Sequence, residues 1–154
     1  MRRWIGCDVG ASGAIAMIPE EGEVELYELT DETLISLLRD WQWDDCICAV
    51  EEVSSSPQMG VKSAFSFGGS YKGVLMALKC FSIPFATVKP QKWKAEFGCN
   101  LGRQATPAQK KAKDIEACRR LYPTVSLKRT AKCKVDHDGF ADALLIATYA
   151  KRKL

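Results

Sequence analysis

The chain has 154 residues, 47% hydrophobic and 27% charged, with a formal charge of +3, which suits one globular domain with a single sizeable core. No apolar run approaches the ~18 residues of a membrane span, and Met1-Arg2-Arg3 leads into a strand without the cleavage pattern of a secretory signal. The expected setting is the cytoplasm (or a nucleoid, an organellar matrix, or a host cytoplasm if the source is viral), with no membrane partner and no secretion.

In chain order, residues 4–9 and 14–18 read as strands joined by the Gly10-Ala11-Ser12-Gly13 turn. A second turn at 19–22 leads to an alternating edge strand over 23–27, and short connections make these three strands antiparallel. Thr30-Asp31-Glu32 offers a helix start, with Leu34, Leu38 and Trp41 on its apolar face. A buried strand over 46–50 is expected to run parallel to the first, because a helix intervenes. Residues 54–63, rich in Ser, Pro and Gly, read as a loop, and apolar spacing predicts a helix over 71–81. A fifth strand follows over 83–88 despite Pro84. Pro90 opens a short helix ending near Gly98, and Thr106-Pro107 is a cap and first-turn signature for a helix reaching Tyr122. A final helix runs from about Asp138 to Lys151. The order of the longer elements is βββ-α-β-α-β-α-α, a mixed α/β domain.

The net charge conceals a division. Residues 1–88 hold 6 Lys/Arg against 13 Asp/Glu, residues 89–134 hold 13 against 3, and residues 135–154 hold 3 against 3. A basic block of this density is an electrostatic footprint for a polyanion, most simply nucleic acid; a solvated, lysine-rich helix face would produce the same count. The seven cysteines (7, 46, 48, 80, 99, 118, 133) are odd in number, lack CxxC spacing and stand beside a single histidine. They read as reduced, structural residues rather than as disulfides or a zinc site.

Four acids sit where charge needs a reason. Asp8 falls in the apolar run Trp4 to Val9, and Glu51 ends the run Cys46 to Val50. Asp138 and Asp142 are four apart at the start of the last helix, on one helix face. A carboxylate on an apolar strand is costly unless it is paired or holds a cation. Three such segments converging would offer hard oxygen ligands for Mg²⁺, and two such ions suit in-line attack on phosphate. Asp8 has a second reading as a cap of the Gly10 to Gly13 amides, and Asp138 (or Asp136) one as a helix cap. Glu51 is chosen over Glu52 on strand parity, since Ile47 and Ala49 would share its face. His137 reads as a surface turn residue.

Lys89, Lys92, Trp93 and Lys94 follow the fifth strand, and Lys132 and Lys134 extend the basic patch; lysines there would neutralise phosphate and set register. Phe65 and Phe67, beside Gly68 and Gly69, could stack on unpaired bases or pack into the core or a subunit interface.

Five segments then resemble a known family in register. They are Ile-Gly-Cys-Asp-Val-Gly-Ala-Ser-Gly-Ala-Ile-Ala at 5–16, Ala-Val-Glu-Glu-Val at 49–53, Phe-Gly-Gly-Ser-Tyr-Lys-Gly at 67–73, Val-Lys-Pro-Gln-Lys-Trp-Lys at 88–94 and His-Asp-Gly-Phe-Ala-Asp-Ala-Leu-Leu-Ile-Ala at 137–147. Across essentially its whole length the chain resembles the RuvC family of Holliday-junction resolvases, in its phage and organellar branch. The resemblance implies an RNase H-like fold with a five-stranded mixed sheet, three strands antiparallel and then two parallel. It implies a homodimer making paired, Mg²⁺-dependent (or Mn²⁺-dependent) nicks in four-way DNA junctions, with no nucleotide cofactor. By matching position, Asp8, Glu51, Asp138 and Asp142 would be the catalytic ligands of two ions, one activating a water and the other stabilising the leaving 3′-oxygen. The products would carry 5′-phosphate and 3′-hydroxyl ends. Lys89, Lys92 and Lys94 match the family's DNA-approaching segment.

The chain departs from the bacterial pattern twice. The last two ligands are four residues apart rather than three, which keeps Asp136 and His137 open as alternatives to Asp138. Ser54 stands where those enzymes place an aromatic wedge, so such a role would pass to Met59, Phe65 or Phe67, or be absent. The helix over 71–81, apolar on most sides, is the physical argument for a dimer. Two other readings stay open: a nuclease of broader branched-DNA or RNA specificity, and a non-catalytic junction-binding module. A sugar-kinase or actin-like ATPase needs two such domains, and the length allows one.

Overall fold

Strand β1 (Arg2–Asp8) lies at the centre of a five-stranded sheet in the order β3-β2-β1-β4-β5, in a computed structural model that describes residues 1–10 and 12–154. It pairs antiparallel with β2 (Ala14–Pro19), which pairs antiparallel with β3 (Glu25–Glu28). On its other side it runs parallel to β4 (Asp45–Glu51), which runs parallel to β5 (Phe85–Val88). The mixed sheet expected from the sequence is thus the one observed. Helices α1 (Asp31–Trp41), α2 (Val61–Cys80), α3 (Pro90–Glu96), α4 (Pro107–Leu121) and α5 (Asp138–Lys153) flank it.

Strand parity divides the core into two layers. Ile5, Cys7 and Val9 face the layer that holds Leu34 and Leu38 of α1 and Val74 and Leu78 of α2. The even-numbered side of β2 (Ala14, Ala16, Ile18) and Ala49 of β4 face Trp93 of α3, Ala117 and Cys118 of α4, and α5. Helix α5 is buried from Gly139 to Ala150 except at Asp142, because α3 and α4 cover it on the side away from the sheet. It also lies unusually close to β1. A Cβ added at Gly6 would run into the Ala143 carbonyl and the Ala147 amide.

The starts of α1, α3 and α4 were legible from capping chemistry and proline placement, whereas α5 is capped by His137, read from sequence as a surface turn residue. The Thr30 side chain accepts from the Thr33 amide, Thr106 and Gln109 form a reciprocal capping box, and Pro90 and Pro107 open their helices. The largest departure is α2, which begins at Val61 rather than near Tyr71 and so takes in ten residues read partly as loop. Ser63, Ser66, Gly68, Gly69 and Ser70 lower its propensity, but the half from Tyr71 onward buries Val74 and Leu78 and carries the rest as a continuous helix. That later half is less uniformly apolar in its setting than its composition suggested, since Lys72, Gly73, Met76 and Lys79 are exposed. Strand β5 starts at Phe85, after Pro84, which has no amide to give a ladder. Strand β3 starts two residues late, at Glu25, and β1 spans 2–8 rather than 4–9.

Five cysteines (7, 46, 48, 99 and 118) are buried, Cys80 is exposed and Cys133 half-buried, all as free thiols. Among the described residues no helix is long and apolar enough to cross a membrane.

Candidate active site

Three chain segments bring acids to one edge of the α5 layer. The parallel register pairs Gly6 with Ala49 and Cys7 with Val50, and one more step sets Asp8 beside Glu51, both on the face turned toward α5. These are the carboxyl ends of adjacent parallel strands, where open α/β sheets hold their ligands. The parity expected for Glu51 is therefore the one observed. The turn after β1 closes on itself, the Gly13 amide donating to the Gly10 carbonyl at 3.0 Å; Ala11, also part of the turn as read from sequence, lies outside the described residues. A Cβ at Gly139 would strike the Ser12 carbonyl, so the bare glycine lets this turn rest on the first turn of α5. Asp138 and Asp142 thereby overhang the strand ends.

The electrostatics show that the four acids feel one another. Burial, then the charges of Glu51 and Asp138, push the Asp8 carboxyl up to about 7. Burial, then the charges of Asp8 and Asp114, push Asp142 up to about 9. Burial also raises Glu51, against the opposing pull of the Trp93 indole, whose Nε1 donates to Oε2 at 2.7 Å, and of Lys94. Asp138 is the exception. Its hydrogen bond and ion pair with Lys111 (2.6 Å) hold it below the usual carboxylate range.

The two alternatives to Asp138 are engaged elsewhere. Asp136 is paired with Arg119 and forms an isolated bridge with Lys128. His137 caps α5, its Nδ1 accepting from the Phe140 amide at 3.2 Å, and its ring packs on Phe140 at 4.5 Å.

The basic residues separate into two groups. Lys89, Lys92, Lys132 and Lys134 are exposed. Lys94 is half-buried, its Nζ 2.6 Å from Asp114 and 4.9 Å from the Trp93 ring centroid. Burial alone would lower its ammonium, but the pairing with Asp114, helped by Asp142 and Glu51, keeps it above its ordinary value. Trp93 itself is fully buried. Grouped in the sequence with the lysines that follow the fifth strand, it instead packs the core and donates to Glu51. Asp114 is a fifth acid that sequence reasoning missed. Phe65 and Phe67, with Gly68 and Gly69 beside them, lie within the helix α2; Phe65 is 85% exposed and Phe67 half-buried. Phe67 and Met59 line a cleft of about 490 Å³ beside Gly10.

Among the described residues no three Asp, Glu, His or Cys side chains are spaced to close on one ion as they stand. Lys94 offsets only part of the charge of Asp8, Glu51 and Asp142, and Lys111 holds Asp138. In kind, however, the donors fit a hard divalent cation: they are all oxygen, anionic and partly desolvated. Burial first, joined at Asp8 and Asp142 by the charges of neighbouring acids, raises Asp8, Glu51 and Asp142, a cost to their ionised forms that a bound cation would relieve.

A pH dependence follows. Both Asp8 and Asp142 have folded-state values above their ordinary 3.8, so the stability linked to their protonated forms is complete below about pH 4. It is lost as pH rises through about 7 and 9. Scanning calorimetry in chelator should show stability falling between pH 5 and 8, by up to about 1.4 kcal/mol per pH unit for each proton released. A divalent cation should flatten that slope. A metal-free protein equally stable at both pH values would mean that the acids are solvated, not clustered.

No protein-family model matches the chain, and no curated protein matches it in sequence. Solved structures do match. Thermus thermophilus RuvC in complex with a Holliday junction substrate superimposes with a TM-score of 0.64 at 17% identity, over 98% of this chain and 96% of that one. A second Thermus thermophilus RuvC structure gives 0.59 at 18%, over 97% and 96%. The yeast mitochondrial Holliday junction resolvase Ydc2 gives 0.45 at 14%, over 96% and 77%. The chain has the RuvC fold, an RNase H-like mixed sheet flanked by helices.

Proposed function

We propose that this chain is a divalent-metal-dependent endonuclease that resolves four-way DNA junctions by paired, symmetry-related nicks. The observation that carries the reading is the meeting of Asp8 and Glu51, on adjacent parallel strands, with Asp138 and Asp142 of α5. That meeting occurs on a fold whose Thermus thermophilus representative is solved with a Holliday junction substrate. Asp8, Glu51, Asp138 and Asp142 would hold two Mg²⁺ ions (Mn²⁺ substituting), which when bound supply an activated water and charge stabilisation for an in-line displacement.

The other side chains prepare the phosphate and the ligands. Trp93 fixes the carboxylate plane of Glu51 through its indole N–H, as an outer-shell partner does. Lys94 is the lysine of its segment that stands at the rim of the acidic cluster, which makes it the neutralising group for the scissile phosphate. Lys89, Lys92, Lys132 and Lys134, all exposed, contact the backbone on either side without reading sequence. Phe65 stands out from α2 to stack on a base, while Phe67 and Met59 line the cleft beside the β1 turn. The products carry 5′-phosphate and 3′-hydroxyl ends. A second copy of the chain covers the apolar surface that α2 exposes at Val61 and Met76, and presents a second site to the opposed strand. The protein works where DNA junctions form, in a cytoplasm, nucleoid or organellar matrix.

The test is cleavage of a labelled mobile four-way junction in Mg²⁺, beside linear duplex, flap and RNA–DNA hybrid, with wild type and Asp8→Asn. Paired, ligatable nicks confined to the junction and lost in Asp8→Asn are expected. Cutting across all substrates would replace the reading with a general RNase H-fold nuclease. Tight junction binding with no cutting in Mg²⁺ or Mn²⁺ would replace it with a binding module.

A further inference from the structure

Asp114 is 2% exposed, and its Oδ1 has no hydrogen-bond partner. Its other oxygen takes the Lys94 ammonium at 2.6 Å, across the gap between α4 and α3. A buried carboxylate with an idle oxygen is a poor way to stabilise a helix pair; an apolar residue of similar volume would serve α4 at least as well. The pair lies at the rim of the site. Asp114 is close enough to act electrostatically on Asp8, Glu51 and Asp142, and Lys94 acts on the same three.

That arrangement poses a problem which Asp114 solves. An ammonium left beside Asp8, Glu51 and Asp142 with no anion of its own would fold onto them, occupying the oxygens that a divalent cation needs. A neutral residue at 114 would leave it no other choice. We propose that Asp114 is a positioning residue, a dedicated counter-ion that holds Lys94 at the rim, off the metal-ligating carboxylates and free to meet a phosphate. The inference rests on the nuclease reading above and adds to it a residue that touches neither substrate nor ligands. The Trp93 ring under Lys94 forms the second side of the holder.

Two measurements test it. In the metal-free protein, the Lys94 Nζ–H resonance should be resolved and slowly exchanging by proton–nitrogen NMR, and lost in Asp114→Asn. A wild-type Lys94 that exchanges as freely as Lys92 would overturn the proposal without any variant. In cleavage assays, Asp114→Asn should lower kcat and raise the Mg²⁺ concentration for half-maximal rate, each by about 10–100-fold, while junction affinity in Ca²⁺ changes less than about threefold. Placed on Lys94→Met, the same substitution should cost nothing further, because a residue acting only through Lys94 has nothing left to act on. Equal losses in both backgrounds would make Asp114 merely structural. An active wild type with an equally active Asp114→Asn would overturn this inference alone, whereas a wild type that cuts no substrate would remove the nuclease reading and this inference with it.

Discussion

Asp142→Asn is expected to abolish cleavage, by about a thousandfold or more, and at the same time to raise the thermal midpoint of the metal-free protein by about 3–10 °C. The two effects have one cause. Asp142 is the acid most strongly pushed toward its protonated form, to about 9, by burial and by the charges of Asp8 and Asp114. At pH 8 the folded chain must keep a proton there that the unfolded chain has released, or hold an unfavourable charge. Asparagine has nearly the same shape and neither cost, so the fold gains about 1–3 kcal/mol, which for a domain of this size is about 2–4 °C per kcal/mol. The loss of activity reflects what the carboxylate is for, since a neutral amide is a poor ligand beside three anions.

Calorimetry in chelator at pH 8 and at pH 5, followed by the same scans in Mg²⁺, separates the terms. At pH 5 the gain should shrink, because wild-type Asp142 is protonated at little cost below its folded-state value. In Mg²⁺ wild type should recover or pass the variant, because only wild type keeps the full ligand set and binding adds to stability. A midpoint that falls in chelator would show that Asp142 has a stabilising partner, and would undo the argument that these acids are held together against their own repulsion.

What the sequence disclosed, and what it hid, follows the range of the forces involved. Asp8 and Glu51 could be placed on one face because strand parity is local, and an acid in an apolar run stands out from its neighbours. The cap at Thr106, the prolines at 90 and 107 and the i,i+4 pair on α5 are local for the same reason. The first half of α2 was hidden because Ser63, Ser66, Gly68 and Gly69 carry turn chemistry, and it takes the anchored second half to extend a helix through them. Asp114 was hidden differently. It is one acid in a helix with Lys110, Lys111 and Lys113, which reads as a solvated face, and its burial depends on how α4 docks on α3 and α5. Trp93 and Lys94 looked like one surface motif with Lys89 and Lys92. The turn of a seven-residue helix sends Trp93 into the core and Lys94 to its rim, and no spacing rule gives the direction in which that helix faces.

Gly6→Ala should do the reverse of Asp142→Asn, lowering stability and activity together through a single methyl group. The Gly6 Cα faces α5 across the centre of the sheet, and an added Cβ would run into the Ala143 carbonyl and the Ala147 amide. Both are backbone atoms inside a helix, so neither can swing aside as a side-chain tip would. The helix must move as a body, although it is buried from Gly139 to Ala150 and wedged between the sheet and helices α3 and α4. Overpacking of this kind costs about 3 kcal/mol or more, or about 6–12 °C in thermal midpoint. Because α5 carries Asp138 and Asp142 over Asp8, lifting it by about 1 Å should also cost about a hundredfold in rate. Leu78, in the opposite core layer, supplies the control. Leu78→Ala should destabilise by about 2–5 kcal/mol yet leave the rate of the folded fraction near wild type, since α2 carries none of the four acids. A Gly6→Ala protein with wild-type midpoint would mean that the helix has room to give. One that is destabilised but cuts at full rate would mean that the α5 carboxylates do not depend on how closely that helix rests on β1.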